Sequence, residues 1–124
     1  MSVITVLVVD DAIFMRTTIK RMLEEHQFDI IGEAANGLEA VEMYRKLLPD
    51  VVTMDITMPG MTGIEAVKAI ISEHPDAKIV MVTALGQQKL IVDALEFGAK
   101  DFITKPFNPE QMVQVLQNVT AESD

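Results

Sequence analysis

Short apolar runs alternate along the chain with longer stretches in which apolar residues recur every three or four positions. The runs fall at 5–9, 30–34, 51–54, 79–82 and 102–104. Val6, Leu7, Val8 and Val9 follow one another without a polar break, as expected of a strand covered on both faces. The intervening stretches have the spacing of helices. The first should bury Phe14, Met15, Ile19, Met22 and Leu23, the second Ala40, Val41, Tyr44 and Leu48, and the third Ile64, Val67, Ala69, Ile70 and Ile71. The last carries Met112, Val115, Leu116 and Val119 at i, i+3, i+4 and i+7, the stripe of a helix lying on a sheet. The fourth is apolar over more than one stripe, at Leu90, Ile91, Val92, Ala94, Leu95 and Phe97. Part of it is expected either to pack tightly in the core or to serve a partner.

Chain-breaking residues respect these divisions. Asn36-Gly37 is read as a helix entry, because helical rather than alternating periodicity follows it. Pro49-Asp50 and Pro75-Asp76 precede the third and fourth strands, and Gly98 suits a helix C-terminus. Strictly alternating strands and helices predict an α/β, doubly wound (βα)5 architecture: a five-stranded parallel sheet with helices on both faces. Five units use up the 124 residues, so one domain over 1–124 with no output domain is expected.

Composition narrows the function. The formal net charge of -9 repels phosphate backbones and anionic lipid, which argues against nucleic-acid and membrane partners. No cysteine is present, so disulfides and thiolate metal sites are excluded. There is no secretion signal and no apolar stretch near the roughly 20 residues of a membrane span, and a cytoplasmic monomer is the expectation. His26 and His74 are expected to be exposed polar residues. The nine methionines are read as core filling, not as a cofactor site.

Ligands in a doubly wound sheet bind at the carboxyl ends of the strands, near the reversal of strand order. The first strand ends in Asp10-Asp11, the third in Asp55, the fourth in Thr83 and the fifth in Lys105. With strand order 2-1-3-4-5, the first and third strands are neighbours about 4.8 Å apart, so three carboxylates share one crevice. Two like charges about 4 Å apart repel by about 4 kcal/mol at an effective dielectric of 20. A hard divalent cation relieves this, and an all-oxygen donor set with few protein ligands suits Mg2+. Between a cation and Lys105, Asp55 is placed to attack phosphorus, leaving Asp10 and Asp11 to hold the metal. The Thr83 hydroxyl can donate to a phosphoryl oxygen. Singly, each of these residues has a commoner role as turn, cap or solvated surface. Their joint placement at the ends of four parallel strands points to chemistry.

Val8-Val9-Asp10-Asp11, the string Met54-Asp55-Ile56-Thr57-Met58-Pro59-Gly60-Met61-Thr62-Gly63, Val82-Thr83-Ala84 and Lys105-Pro106-Phe107 closely resemble response-regulator receiver domains in order and spacing. The resemblance covers essentially the whole chain. It implies a flavodoxin-like fold and a signalling switch that is not an enzyme, phosphorylated on Asp55 by a sensor histidine kinase. It further implies Mg2+, with Mn2+ able to substitute, held by Asp10, Asp11, Asp55 and the backbone carbonyl of Thr57. Thr83, Ala84 and Lys105 would contact the phosphoryl group, and Phe102 would follow the threonine inward. This would remodel a partner face on the fourth helix, fifth strand and fifth helix that includes Ile91, Phe102 and Thr104. The resemblance also implies a cis Lys105-Pro106 peptide, against a base rate of about 5–6%. Thr57 and Leu85 occupy positions that influence phosphoryl lifetime in the family.

The strings Asp11-Ala12-Ile13-Phe14-Met15-Arg16 and Gly98-Ala99-Lys100-Asp101-Phe102 look like stand-alone CheY-type chemotaxis regulators. That likeness implies a chemotaxis kinase, a flagellar motor switch protein and a phosphatase as partners. A single-domain phosphorelay intermediate is the alternative within the class. An aspartate-nucleophile phosphatase is the alternative enzyme, but such enzymes carry an acid two residues after the nucleophile, where this chain has Thr57. A flavin or nucleotide binder of the same fold would need a phosphate-cradling first loop, which Asp10-Asp11 would repel.

Overall fold

The computed structural model describes residues 3–84 and 86–121. Five strands, β1 (Ile4–Val9), β2 (Phe28–Ala34), β3 (Val51–Asp55), β4 (Ile79–Ala84) and β5 (Asp101–Lys105), alternate with five helices. These are α1 (Ile13–Glu24), α2 (Gly37–Leu47), α3 (Gly63–Glu73), α4 (Gln88–Glu96) and α5 (Pro109–Ala121). The strands form one parallel sheet in the order β2-β1-β3-β4-β5. This is the doubly wound, flavodoxin-like arrangement expected from the sequence.

Strand pleating divides the core in two. Leu7, Val9, Val52, Met54, Ile79 and Met81 point to the face covered by α2, α3 and α4. Val6, Val8, Val51, Val80, Val82 and Ile103 point to the face covered by α1 and α5. Burial on both faces explains why the central strands read as unbroken apolar runs.

Side chains cap the entries of α2, α3 and α5 at the carboxyl rim, while α1 and α4 begin without such a cap. Asn36 Oδ1 accepts from Glu39 N–H at 2.9 Å, and Asn108 Oδ1 accepts from Gln111 N–H at 2.7 Å. Thr62 and Glu65 form a reciprocal capping box at the start of α3. Gly98 follows the last residues of α4 with φ +119°, a left-handed conformation that suits glycine.

Several expectations need correction. Phe14 is 78% exposed, because α1 meets the sheet through Ile19, Met22 and Leu23, with Met15 partly buried beside them. Leu48 is not part of the α2 stripe: it caps that helix in a left-handed conformation, exposed to solvent. β2 starts two residues earlier than its apolar run, at the buried Phe28, and a register shift between Val6 and Leu7 absorbs an irregularity against β1. His26 is exposed, but His74 is half-buried with its ring 5.1 Å from that of Tyr44.

Candidate functional site

Register alone brings the acids together. Val9 of β1 lies opposite Met54 of β3, so the next residues on the two strands, Asp10 and Asp55, emerge side by side at the rim. Asp10 is buried, and its Oδ1 accepts from Ala12 N–H at 2.9 Å. Arg16 Nη1 donates to the Asp10 carbonyl at 2.7 Å and its Nε to Glu33 at 3.2 Å, tying the turn after β1 to β2. Asp11 is exposed.

Asp55 ends a strand buried at every residue, and the following Ile56 and Met58 are buried as well. The loop then returns to the strand end, where Gly63 N–H donates to Ile56 O at 2.9 Å. This return needs a glycine, since a Cβ at position 63 would lie 2.1 Å from the Asp55 carbonyl oxygen.

Opposite the acids, Lys105 Nζ lies 3.3 Å from Asp10 Oδ2 and 3.7 Å from Asp55 Oδ1. The Lys105–Pro106 peptide is cis. β4 contributes Thr83 one position beyond Val82, the register partner of Asp55. The Thr83 hydroxyl and the Ala84 N–H both donate to Gln87 Oε1, and Gln87 Nε2 donates to Thr57 Oγ1 at 2.9 Å. Phe102 is 39% exposed and faces outward; Thr104 is half-buried, and Ile91 is buried. These three residues line a cavity of about 300 Å3 between α4 and β5, with Val92 and Leu95 on its α4 side. Val92, Leu95 and Phe97 are the exposed excess of the fourth helix, and Lys68 Nζ stands 4.6 Å from the Phe97 ring centre. Leu85 lies outside the described residues.

Burial raises the pKa of Asp55 to about 6, and the Asp10 and Asp11 charges push the same way. Lys105 and the Thr57 backbone N–H act against this shift. The crevice therefore lacks positive charge for its three acids. Asp10, Asp11 and Asp55 each offer an oxygen within 4.8 Å of the others. Small side-chain rotations would bring the three onto one ion, whose bonds of about 2.1 Å set ligand oxygens roughly 3.0 Å (adjacent) or 4.2 Å (opposite) apart. Hard oxygen donors only, with Asp11 open to solvent and to retained waters, fit Mg2+.

Two polar residues near the site had no role assigned from the sequence. Arg16 carries a weak signal, a basic residue in the first turn after an acidic pair. Gln87 carries none, since a loop glutamine has no periodicity or partner that the sequence reveals.

Residues 6–117 match the response regulator receiver domain family, and the chain belongs to it. It is a CheY-like receiver, a signalling switch of two-component systems. Over 115 residues it is 51% identical to the chemotaxis protein CheY of Thermotoga maritima, covering 93% of this chain and 96% of that one. The chemotaxis protein CheY of Listeria monocytogenes is 50% identical over 111 residues, covering 90% and 93% of the two chains. The crystal structure of the CheX-CheY-BeF3-Mg+2 complex from Borrelia burgdorferi aligns with a TM-score of 0.89 at 38% identity, over 94% of this chain and 88% of that one. Among the described residues, no helix is long and apolar enough to cross a membrane.

Proposed function

We propose that the chain is a Mg2+-dependent phospho-acceptor whose Asp55 takes a phosphoryl group from a phosphohistidine of a chemotaxis-type sensor kinase. The carrying observation is the pairing of one ammonium, Lys105, with two of three clustered carboxylates at the ends of adjacent strands. An Asp55 oxygen attacks phosphorus, the P–N bond breaks, and its electron pair stays on the imidazole nitrogen, which takes up a proton. Lys105 then faces the transferred oxygens, and the Thr83 hydroxyl and Ala84 N–H are close enough in the chain to turn toward them. Asp10, Asp11, Asp55 and the Thr57 carbonyl would hold the metal. When bound, the ion neutralises charge on the equatorial phosphoryl oxygens. The Borrelia burgdorferi complex, which contains CheX, CheY, BeF3 and Mg2+, supports this reading.

The output follows from Thr83. As its hydroxyl moves toward Asp55, space opens behind it for the exposed Phe102 ring, and the groove between α4 and β5 changes shape. A flagellar motor switch protein is the proposed partner of that face. Incubation with phosphoramidate, with and without Mg2+, should add one phosphoryl group by intact mass to the parent but not to Asp55→Asn. Capture by a motor-switch peptide should rise on phosphorylation. Metal-independent labelling, or labelling that survives Asp55→Asn, overturns the assignment.

A further inference from the structure

Gln87 sits one residue before α4, with its carboxamide folded back across the rim of the sheet. Both lone pairs of its Oε1 are used, one by the Thr83 hydroxyl and one by Ala84 N–H at 3.1 Å. Its Nε2 reaches Thr57 Oγ1 at 2.9 Å, on the loop that follows Asp55. One side chain thus joins the end of β4 to the loop after β3. It supplies the only side-chain hydrogen bond between those segments among the described residues.

The two groups that Gln87 Oε1 holds, Thr83 and Ala84, are those assigned above to the phosphoryl group. A threonine hydroxyl has one proton to give. Here Gln87 Oε1 is its nearer acceptor, with Ala84 O at 3.4 Å. While Thr83 donates to Gln87 it cannot donate toward Asp55. We propose that Gln87 is a positioning residue that latches Thr83 and Ala84 in the resting conformation and sets the threshold for switching. This rests on Asp55 being the phosphoryl acceptor and Thr83 the group that answers it. A charged phosphoryl oxygen accepts a hydrogen bond about twice as strongly as a neutral carboxamide, so phosphorylation wins the competition and frees Gln87. Release also cuts the tie to Thr57, uncoupling the loop beside the acceptor from the start of α4.

Gln87→Met keeps the side chain's length and removes all three bonds. With phosphoramidate and Mg2+ it should be phosphorylated about three- to tenfold faster than the parent, the range set by losing net hydrogen bonds from the resting state alone. In a Thr83→Ala background the same substitution should accelerate clearly less, because only the Ala84 and Thr57 restraints remain to be lost. Thr57→Val, which removes only the far end of the bridge, should accelerate less and should not add to Gln87→Met. It also stands as the test if Gln87→Met fails to fold by circular dichroism. An unchanged or slower rate in the folded variant, or an equal acceleration without the Thr83 hydroxyl, overturns the latch. If the parent takes up no phosphoryl group, or Asp55→Asn labels as the parent does, the acceptor assignment has failed instead.

Discussion

A carboxyl group at the end of a fully buried strand has lost most of the water that would stabilise its charge. For Asp55 that loss, reinforced by Asp10, outweighs Lys105 and lifts the pKa from the ordinary 3.8 to about 6. The folded protein therefore binds a proton at Asp55 more tightly than the unfolded chain does. Its stability contribution is present below about pH 4 and is lost as pH rises through 6. In chelator, Asp55→Asn should escape this loss: its stability relative to the parent should rise by about 2 kcal/mol between pH 4 and pH 7.5. Urea titrations across that range check it, and a difference that does not vary with pH counts against the assigned environment. The acids themselves were legible because they terminate apolar runs. Their degree of burial was not, since Asp10 and Asp55 are buried while the adjacent Asp11 is exposed, a difference set by the assembled rim. Gln87 lay beyond reach for a similar reason, as its role exists only once the rim is assembled.

At the level of elements, α3 is seated against the acceptor by a glycine. Alanine in a helix usually gains up to about 1 kcal/mol over glycine. At position 63 the added Cβ would press to 2.1 Å from the Asp55 carbonyl oxygen and 2.9 Å from the Ile56 Cα, backbone atoms with little freedom to yield. Overpacking of that kind costs about 1–3 kcal/mol. Gly63→Ala should thus be destabilised by about 1–2 kcal/mol in urea, and should slow phosphorylation by displacing Asp55. A stabilised variant would show that the contact relaxes freely. Most elements could be read from the sequence because their apolar spacing reports the face they bury. Where the reading missed, local geometry decided. Leu48 continues the α2 spacing yet ends the helix, and Phe14 precedes the part of α1 that meets the sheet. Phe28 is separated by the polar Asp29 from the run that marked β2, so its strand began earlier than the run suggested.

For the whole molecule, strand order follows from the chemistry as much as from periodicity, because only a neighbouring β1 and β3 place Asp10 beside Asp55. Three acids crowded at one rim of a chain with net charge -9 make the folded state responsive to a divalent ion. Mg2+ at about 100 times its Kd should stabilise the parent by about 2.7 kcal/mol, seen as a rise of several degrees in Tm. Asp11→Asn should lose most of that gain. Sodium chloride at equal ionic strength giving the same rise would reduce the effect to general screening. Because every strand points the same way, the opposite rim lies away from the acids. There Thr5 and Asp50 exchange hydrogen bonds and Pro75 and Asp76 make an exposed turn. A dye, tether or fused reporter grafted onto that turn would leave the reactive end clear, so the molecule can be immobilised tail-down and watched while it signals.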